Sequence, residues 1–369
     1  MTKLKQPKQA EKPCQRKAIR KLNSIEVIDL FCGAGGLSRG LSDAGLRVVA
    51  GVDLDSDCEY AFSHNNDSKF VCRDISSVDC SEISRFFSGH SIRVLSGCAP
   101  CQPFSRYGRA AENRRSKWSL LMDFARIAEE IHPEIITVEN VPELAQHQVF
   151  SMFTMRLQKA GYHLKSGFLF CPIFGIPQSR TRLVMIGSRL AEPALPEPTH
   201  VENPPTVRTA ISKLRKLNAG EFDPKDSLHR ACKLSELNSR RIATSRPGGT
   251  WRDWPENLRA VCHRAKSGGT YPAVYGRMLW DEPSPTITTQ FFGYGNGRFG
   301  HPEQNRAISL REGAILQTFP HDYQFHEPDR KMSIQKIGQL IGNAVPVRLG
   351  FVIGKAIINH VDKQKESNG

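Results

Sequence analysis

No apolar run in this sequence approaches the roughly 18 residues that a membrane helix requires. The N-terminus has no apolar stretch of the kind that opens a signal sequence, so an intracellular protein is expected. The ten cysteines show no spacing that marks a disulfide framework. Cys98 and Cys101 make one C-x-x-C. Neither a second pair nor a C-x-x-H stands nearby to complete a zinc site, which leaves a redox pair as the other reading of that spacing. The first glycine cluster, Gly33-Ala34-Gly35-Gly36, lacks the G-x-G-x-x-G spacing, which argues against NAD. No internal repeat is evident. What remains is a chain of ordinary globular composition, 369 residues long, enough for two domains or one large one.

The formal net charge of +14 is unevenly spread. Residues 1–21 carry eight Lys/Arg against one Glu, a net +7, and residues 188–306 carry eighteen Lys/Arg against twelve Asp/Glu, a net +6. A basic surface attracts polyanions by releasing their counterions. The competing reading is a solvated face and a tail without structure. Residues 1–23, rich in Lys and Gln and without apolar periodicity, read as a basic, disordered arm, which we place at 1–24.

Beyond the arm, strands and helices alternate. Ile25 to Leu30 reads as a buried strand, followed by a glycine-rich turn and a helix from Leu37 to Ala44 that Gly45 ends. Arg47 to Val52, Phe70 to Cys72, Arg93 to Leu95 and Ile135 to Val138 read as further strands. A helix carrying Leu120, Leu121, Phe124, Ile127 and Ala128 lies before the last of these. This order predicts an open, mostly parallel α/β sheet. After Gly187 the pattern changes. Residues 191–205 are rich in proline, and 206–300 are rich in Arg, Gly and Trp with poor periodicity, which predicts a separate loop-rich domain over 188–306. Regularity returns at Leu310 to Leu316 and at Ile337 to Ile358, so 25–187 and 307–369 form the larger domain. Asn203-Pro204-Pro205 resembles the loop of exocyclic-amino methylases. Thr206 replaces the stacking aromatic and no strand precedes it, so it reads as linker.

Chemistry-bearing residues gather at strand ends. Glycines at 33, 35 and 36 follow the first strand, where a backbone can approach a ligand and a helix N-terminus can support it. Asp53 ends the second strand, where an acid can hold both ribose hydroxyls, and Asp74 ends the third, placed to reach an adenine. Cys101 follows the fourth strand in a loop framed by Pro100 and Gln102-Pro103, which displays a thiol as a candidate nucleophile. Glu139 ends the fifth strand as a candidate acid. Gln178, Arg180 and Arg182 alternate so as to share one face of a strand, which suggests a buried anion or carbonyl contact.

In this order these segments resemble the C5-cytosine-specific DNA methyltransferase family, of the bacterial restriction-modification type. Asp29 to Gly36 is similar to its cofactor loop, Pro100-Cys101-Gln102 to its nucleophile loop, and Glu139-Asn140-Val141 to its acid motif. Gln178-x-Arg180-x-Arg182, Arg311-Glu312 through Gln317-Thr318-Phe319-Pro320, and Gly342-Asn343-Ala344-Val345-Pro346 are similar to its later motifs. The match runs from Val27 to about Ile353 and omits the variable middle. Ala99 stands where a second Pro is commoner, and Asp53 where Glu is commoner, departures that touch local affinity more than activity.

The resemblance implies a Rossmann-like methyltransferase sheet, mixed and mostly parallel, with 188–306 as a smaller target-recognition domain. It implies S-adenosyl-L-methionine as cofactor, held by Phe31, Gly33, Gly35, Asp53, Leu54, Asp74, Ile75, Pro100, Leu120 and Asn343. It implies Cys101, Glu139, Arg180 and Arg182 as catalytic residues acting on a cytosine flipped from double-stranded DNA. Gln102, Ser105, Arg246, Arg252, Arg277 and Arg298 are the candidate DNA contacts, although phosphate contact or solvated charge is the commoner fate of any one arginine. The resemblance further implies a cytoplasmic, nucleoid-associated monomer with a cognate restriction endonuclease as partner, and no metal. Three alternatives stand beside it: an RNA cytosine methyltransferase of the same fold acting on tRNA, a catalytically silent DNA-binding regulator, and a dehydrogenase-like enzyme.

Overall fold

The computed structural model describes residues 24–100, 114–264, 272–328 and 332–367. The N-terminal arm and the segment carrying Cys101, Gln102 and Ser105 lie outside these residues. The strands of the first half are β1 (Ser24–Leu30), β2 (Arg47–Asp53), β3 (Lys69–Cys72), β4 (Ser91–Gly97), β5 (Ile135–Asn140), β6 (His163–Phe170), β7 (Gln178–Ser179) and β8 (Thr181–Ser188). The helices among them are α1 (Gly36–Ala44), α2 (Glu59–Asn66), α3 (Cys80–Ser84), α4 (Arg114–Ile131) and α5 (Gln148–Lys159). The middle of the chain adds α6 (Val207–Ile211), a short hairpin of β9 (Phe222–Asp223) and β10 (Asp226–Arg230), α7 (Glu236–Thr244), α8 (Val261–Arg264) and β11 (Ser284–Pro285). Helices α9 (Leu310–Leu316), α10 (Ile334–Asn343) and α11 (Val347–Ser367) close the chain.

One seven-stranded sheet runs in the order β3-β2-β1-β4-β5-β8-β6. Strands β1 to β5 pair in parallel, while β8 is antiparallel to both β5 and β6. Alternate strand residues go to opposite faces. Val27, Val94, Ile135, Val184 and Ile186 join the core with α1 and α11, and Ile28, Leu95, Ile136, Leu183 and Met185 join the core with α4 and α5. A sheet covered on both faces demands strands that are apolar on both sides, which is why these read as continuous apolar runs. Each fully buried Val, Leu or Ile contributes roughly 1.5–3 kcal/mol. A Cβ at Gly40 would run into the Val347 carbonyl and the Phe351 backbone, so glycine there allows α1 and α11 to touch.

Because β1 has β2 on one side and β4 on the other, the chain order reverses between them. Their carboxyl ends therefore open on a crevice, the usual ligand position in such sheets. The middle of the chain has a small core of its own, of Ile242, Trp251, Trp254, Leu258, Tyr294 and Ala307. The Arg241 guanidinium lies 5.4 Å over the Trp254 ring and 5.1 Å over that of Tyr275. The returning segment packs into the larger core, with Phe291 against Gly313 and Phe292 against Gly338.

The structure differs from the sequence reading in three places. Gln178 to Arg182 is not one strand: Gln178–Ser179 pairs with β11, and β8 starts at Thr181. A tight bend separates them, in which Arg180 N donates to Gln178 O at 2.9 Å. Helix α5 and strand β6 carried no expectation. The regular stretch expected over 337–358 is two helices parted at Pro346, which has no N–H to continue one. By length and composition Ile334–Ser367 is apolar enough to cross a membrane, but most of its apolar window is buried in the fold.

Candidate active site

At the end expected to hold a cofactor, the turn after β1 takes positive φ at Phe31 (58°), Gly33 (52°) and Gly35 (86°). Glycine adopts this conformation freely, and Phe31 does so against its preference. The turn brings Gly33 N to Asp53 Oδ2 at 2.9 Å, while Asp55 N donates to Asp53 Oδ1, also at 2.9 Å. Burial pushes the Asp53 carboxyl above its ordinary range, and these amide hydrogen bonds oppose the rise. Gly35 caps α1 without a side-chain hydrogen bond, so the helix start presents backbone N–H groups to the crevice. Leu54, next to Asp53, is 67 % exposed, an apolar face open to a flat ring.

Other expected cofactor residues lie at the neighbouring strand ends. Asp74 is exposed and caps a turn, its Oδ1 accepting from Ser76 N and Oγ at 2.9 Å. Ile75 beside it is buried. Leu120 is half-buried on α4, and Pro100 is exposed. Asn343 is exposed at the end of α10, and the Val345 carbonyl just after it packs on Gly36 at the start of α1. Lys336, on the same helix, binds Asp55 at 2.8 Å and Asp57 at 2.9 Å, which ties α10 to the loop after Asp53. Asp29 is buried beneath the turn and accepts from Ser38 and Ser96. Burial, against those two hydrogen bonds, raises its pKa to about 6.

At the other end, Glu139 is the last residue but one of β5 and is 2 % exposed. Its Oε2 accepts the Cys98 thiol at 2.8 Å. Arg182 Nε stands 2.8 Å from Oε1, although Oε1 has no aligned hydrogen bond. Asn140 Nδ2 donates to the Ala99 carbonyl at 3.0 Å and so holds the loop that leads to Cys101. Arg180 is buried, with Nη1 3.5 Å from both Gln178 Oε1 and Gln317 Oε1 and with Nε unpaired. Burial, then the neighbouring Arg182 charge, lowers its pKa to about 10. Gln178 Nε2 donates to Gln317 Oε1 at 2.9 Å, and Ile287 N donates to Gln178 Oε1 at 3.0 Å. Gln317 Nε2 reaches the Ile341 carbonyl at 2.9 Å and that of Ala344 at 3.2 Å. One buried amide thus joins the arginine segment to the loop of Asn343.

The four arginines singled out in the middle region fall into different settings. Arg246 and Arg252 are exposed and flank one turn, and Arg246 makes a loose 3.4 Å contact with Asp253. Arg298 is half-buried, with its Nε unpaired. Arg277 is enclosed instead. It donates to the carbonyls of His301, Gln304 and Ile242 and to Asn305 Oδ1, so it organises this region rather than facing outward. Flanking glycines had marked it like the others. Sequence reasoning also missed Cys98 and Gln317 as site neighbours. Cys98 was visible only as half of a C-x-x-C, and Gln317 only as one member of a motif.

A doubly covered sheet with acids at successive strand ends, and a buried carboxylate beside two arginines across the same crevice, defines a group-transfer enzyme built around a nucleoside cofactor. A family model described as C-5 cytosine-specific DNA methylase matches residues 25–359. The type II methylase M.HgiDII of Herpetosiphon aurantiacus is 49 % identical over 335 residues, covering 90 % of this chain and 94 % of that protein. The type II methyltransferase M.Eco47II of Escherichia coli is 32 % identical, covering 92 % and 80 % respectively. Among solved structures, a prophage-encoded Escherichia coli protein described as a DNA modification methyltransferase superposes with a TM-score of 0.71 at 22 % identity, over 92 % of this chain and all (100 %) of that one. Spodoptera frugiperda DNMT2 gives a TM-score of 0.63 at 16 % identity, over 92 % and 99 %. These two structures show the fold. The chain belongs to the C-5 cytosine-specific DNA methylase family and is a DNA (cytosine-5-)-methyltransferase that uses S-adenosylmethionine. That membership decides against the dehydrogenase, RNA-methylating and silent-regulator readings.

Proposed function

We propose that the crevice divides the reaction between its two ends, with Cys101, Glu139, Arg180 and Arg182 acting on the cytosine and the β1 turn holding the cofactor. The observation that carries this is the buried Glu139 carboxylate, placed within 2.8 Å of both Cys98 Sγ and Arg182 Nε. S-adenosylmethionine fits the opposite end. Gly33 and Gly35 leave the backbone open, Asp53 stands where a ribose would lie, and Leu54 offers an exposed apolar face. When bound, this cofactor would supply an electrophilic methyl group on a sulfonium sulfur, which keeps the bonding pair and leaves as a neutral thioether. Phe31, Asp74, Ile75, Pro100, Leu120 and Asn343 complete the proposed contact set.

The target carbon is unreachable inside a stacked duplex, so the base is flipped out. The Cys101 thiolate forms a bond to the ring carbon beside the target carbon. A proton taken up from solvent by Glu139 passes as a hydrogen bond or outright to the ring nitrogen as negative charge builds there, leaving the carboxylate. Arg182, with Arg180 behind it, holds the ring carbonyl or an adjacent phosphate. The electron pair displaced by the thiolate makes the target carbon nucleophilic, and that carbon takes the methyl group. Loss of its proton then expels Cys101 and restores the ring. A thiol suits this role because it both attacks and leaves readily.

Residues 188–306 form the proposed target-recognition region, supported by their net +6 charge and by the exposed Arg246 and Arg252. Gln102, Ser105 and Arg298 are further proposed DNA contacts. The type II relatives support a modification role. A cognate restriction endonuclease, a cytoplasmic location and action as a monomer on one strand at a time complete the proposal. Labelled methyl transfer to duplex DNA of mixed sequence, mapped by bisulfite conversion, tests the reading. Protected cytosines in one recurring context are expected, and protection in no context would refute a sequence-specific role.

A further inference from the structure

Strands β4 and β5 are parallel and in register, with Gly97 opposite Val138. The residue that follows each of these is therefore brought beside the other: Cys98, just past the end of β4, beside Glu139. The contact is direct, Sγ to Oε2 at 2.8 Å. Burial, then the adjacent carboxylate, pushes the Cys98 thiol far above its ordinary pKa, so it stays protonated and can only donate. The second carboxylate oxygen is in a different position. Oε1 is buried, faces Arg182 Nε at 2.8 Å, and has no aligned hydrogen bond. The last torsion of a glutamate is broad and roughly two-fold, so nothing intrinsic to Glu139 fixes which oxygen faces where. Arg182 alone would draw the carboxylate into a two-pronged pair with both oxygens committed.

We propose that Cys98 is a positioning residue for Glu139: its thiol holds Oε2 and leaves Oε1 as the oxygen presented to the flipped base. This rests on the role given to Glu139 above. The neighbouring contact has the same logic. Asn140 Nδ2 holds the Ala99 carbonyl, so consecutive residues of β5 grip consecutive residues of the loop after β4. In that arrangement Glu139 and the Cys98-Ala99 segment after β4 are aligned by one piece of local geometry. The sulfur is a weak donor, so the effect is on alignment rather than on large binding energy.

The test is steady-state and single-turnover methylation by Cys98→Ala, Cys98→Ser, Glu139→Gln and the Cys98→Ala/Glu139→Gln double variant. Cys98→Ala should lower kcat about three- to tenfold with KM for S-adenosylmethionine and for DNA unchanged, the pattern of an interaction lost in the chemical step. Cys98→Ser should recover most of that loss, since a hydroxyl donates to the same oxygen. In the Glu139→Gln background the alanine change should cost nothing further, because Cys98 acts only through that carboxylate. Wild-type kcat in Cys98→Ala, no recovery in Cys98→Ser, or full additivity in the double variant would each overturn the proposal while leaving the role of Glu139 intact. Wild-type kcat in Glu139→Gln would instead remove that role, and this inference with it. If Cys98→Ala melts early, the serine variant and the wild type still decide the matter: a serine enzyme with normal melting and a kcat lowered more than about tenfold contradicts the proposal.

Discussion

At the cofactor end of the crevice Asp53 is held by two backbone amides, those of Gly33 and Asp55, whereas at the opposite end Glu139 is flanked by two side chains, Cys98 and Arg182. The first arrangement needs only the correct turn, which glycines at 33 and 35 supply. The second needs side chains from separate segments to arrive together: the loop after β4, the end of β5, the bend between β7 and β8, and Gln317 after α9. A backbone-built site tolerates changes in its neighbours. A site built from side chains should fail as a unit, because each member fixes the next.

Glu139→Gln should give the largest contrast between the two ends. It keeps the shape but removes the proton-carrying group. Turnover should fall about 10²- to 10⁴-fold, while S-adenosylmethionine affinity, read by calorimetry, stays at the wild-type level. An equal loss at both ends would erase the distinction.

Acid and base should also separate Asp29, beneath the turn after β1, from Glu312, buried on α9. Burial alone would raise the Glu312 carboxyl, but hydrogen bonds and charge from Arg306 hold its pKa down at about 2. Its stabilisation is therefore complete above its ordinary pKa of 4.5 and is lost as pH falls toward 2. Asp29, raised to about 6, has the opposite sign: stability is greatest below its ordinary 3.8 and declines as pH rises through 6. Each effect is worth roughly 3 kcal/mol by linkage. Urea titrations across pH should show Glu312→Gln removing the acid-side loss and Asp29→Asn removing the decline between about pH 4 and 6. If neither substitution alters the pH profile, the burial argument for both groups is wrong.

Asp53→Ala should produce a smaller effect, confined to the cofactor end. With the carboxylate gone the Gly33 and Asp55 amides lose their partner, and S-adenosylmethionine affinity should weaken about 10- to 100-fold. Turnover at saturating cofactor should stay within about threefold of wild type. A loss in kcat as large as that of Glu139→Gln would show that the two ends are not independent.

The same contrast explains what could be read in the sequence. The placement of residues at the proposed cofactor end was legible because its parts are local: glycines after a strand, and acids at or just past the ends of the next two strands. The place of Glu139 at a strand end was legible for the same reason. The break at Arg180 was not, because alternation of Gln178, Arg180 and Arg182 has the period of a strand whether or not the chain bends between them. Gln317 pairs with Gln178 across 139 residues, and no local pattern reports that. Arg277 looked like Arg246 and Arg252 because all three lie among glycines and aromatics. Only tertiary packing shows that its Nη donors are already used.

In the proposed mechanism Cys101 attacks a flipped cytosine and is later released by loss of the proton at the target carbon. Duplex DNA in which cytosine is replaced by 5-fluorocytosine tests it directly, since fluorine cannot leave as a proton. With S-adenosylmethionine present, the wild-type enzyme should form a protein–DNA adduct that survives denaturation, and Cys101→Ser should form none and methylate no ordinary DNA. Methylation by Cys101→Ser at the wild-type rate, or an adduct mapped to another residue, would contradict the account.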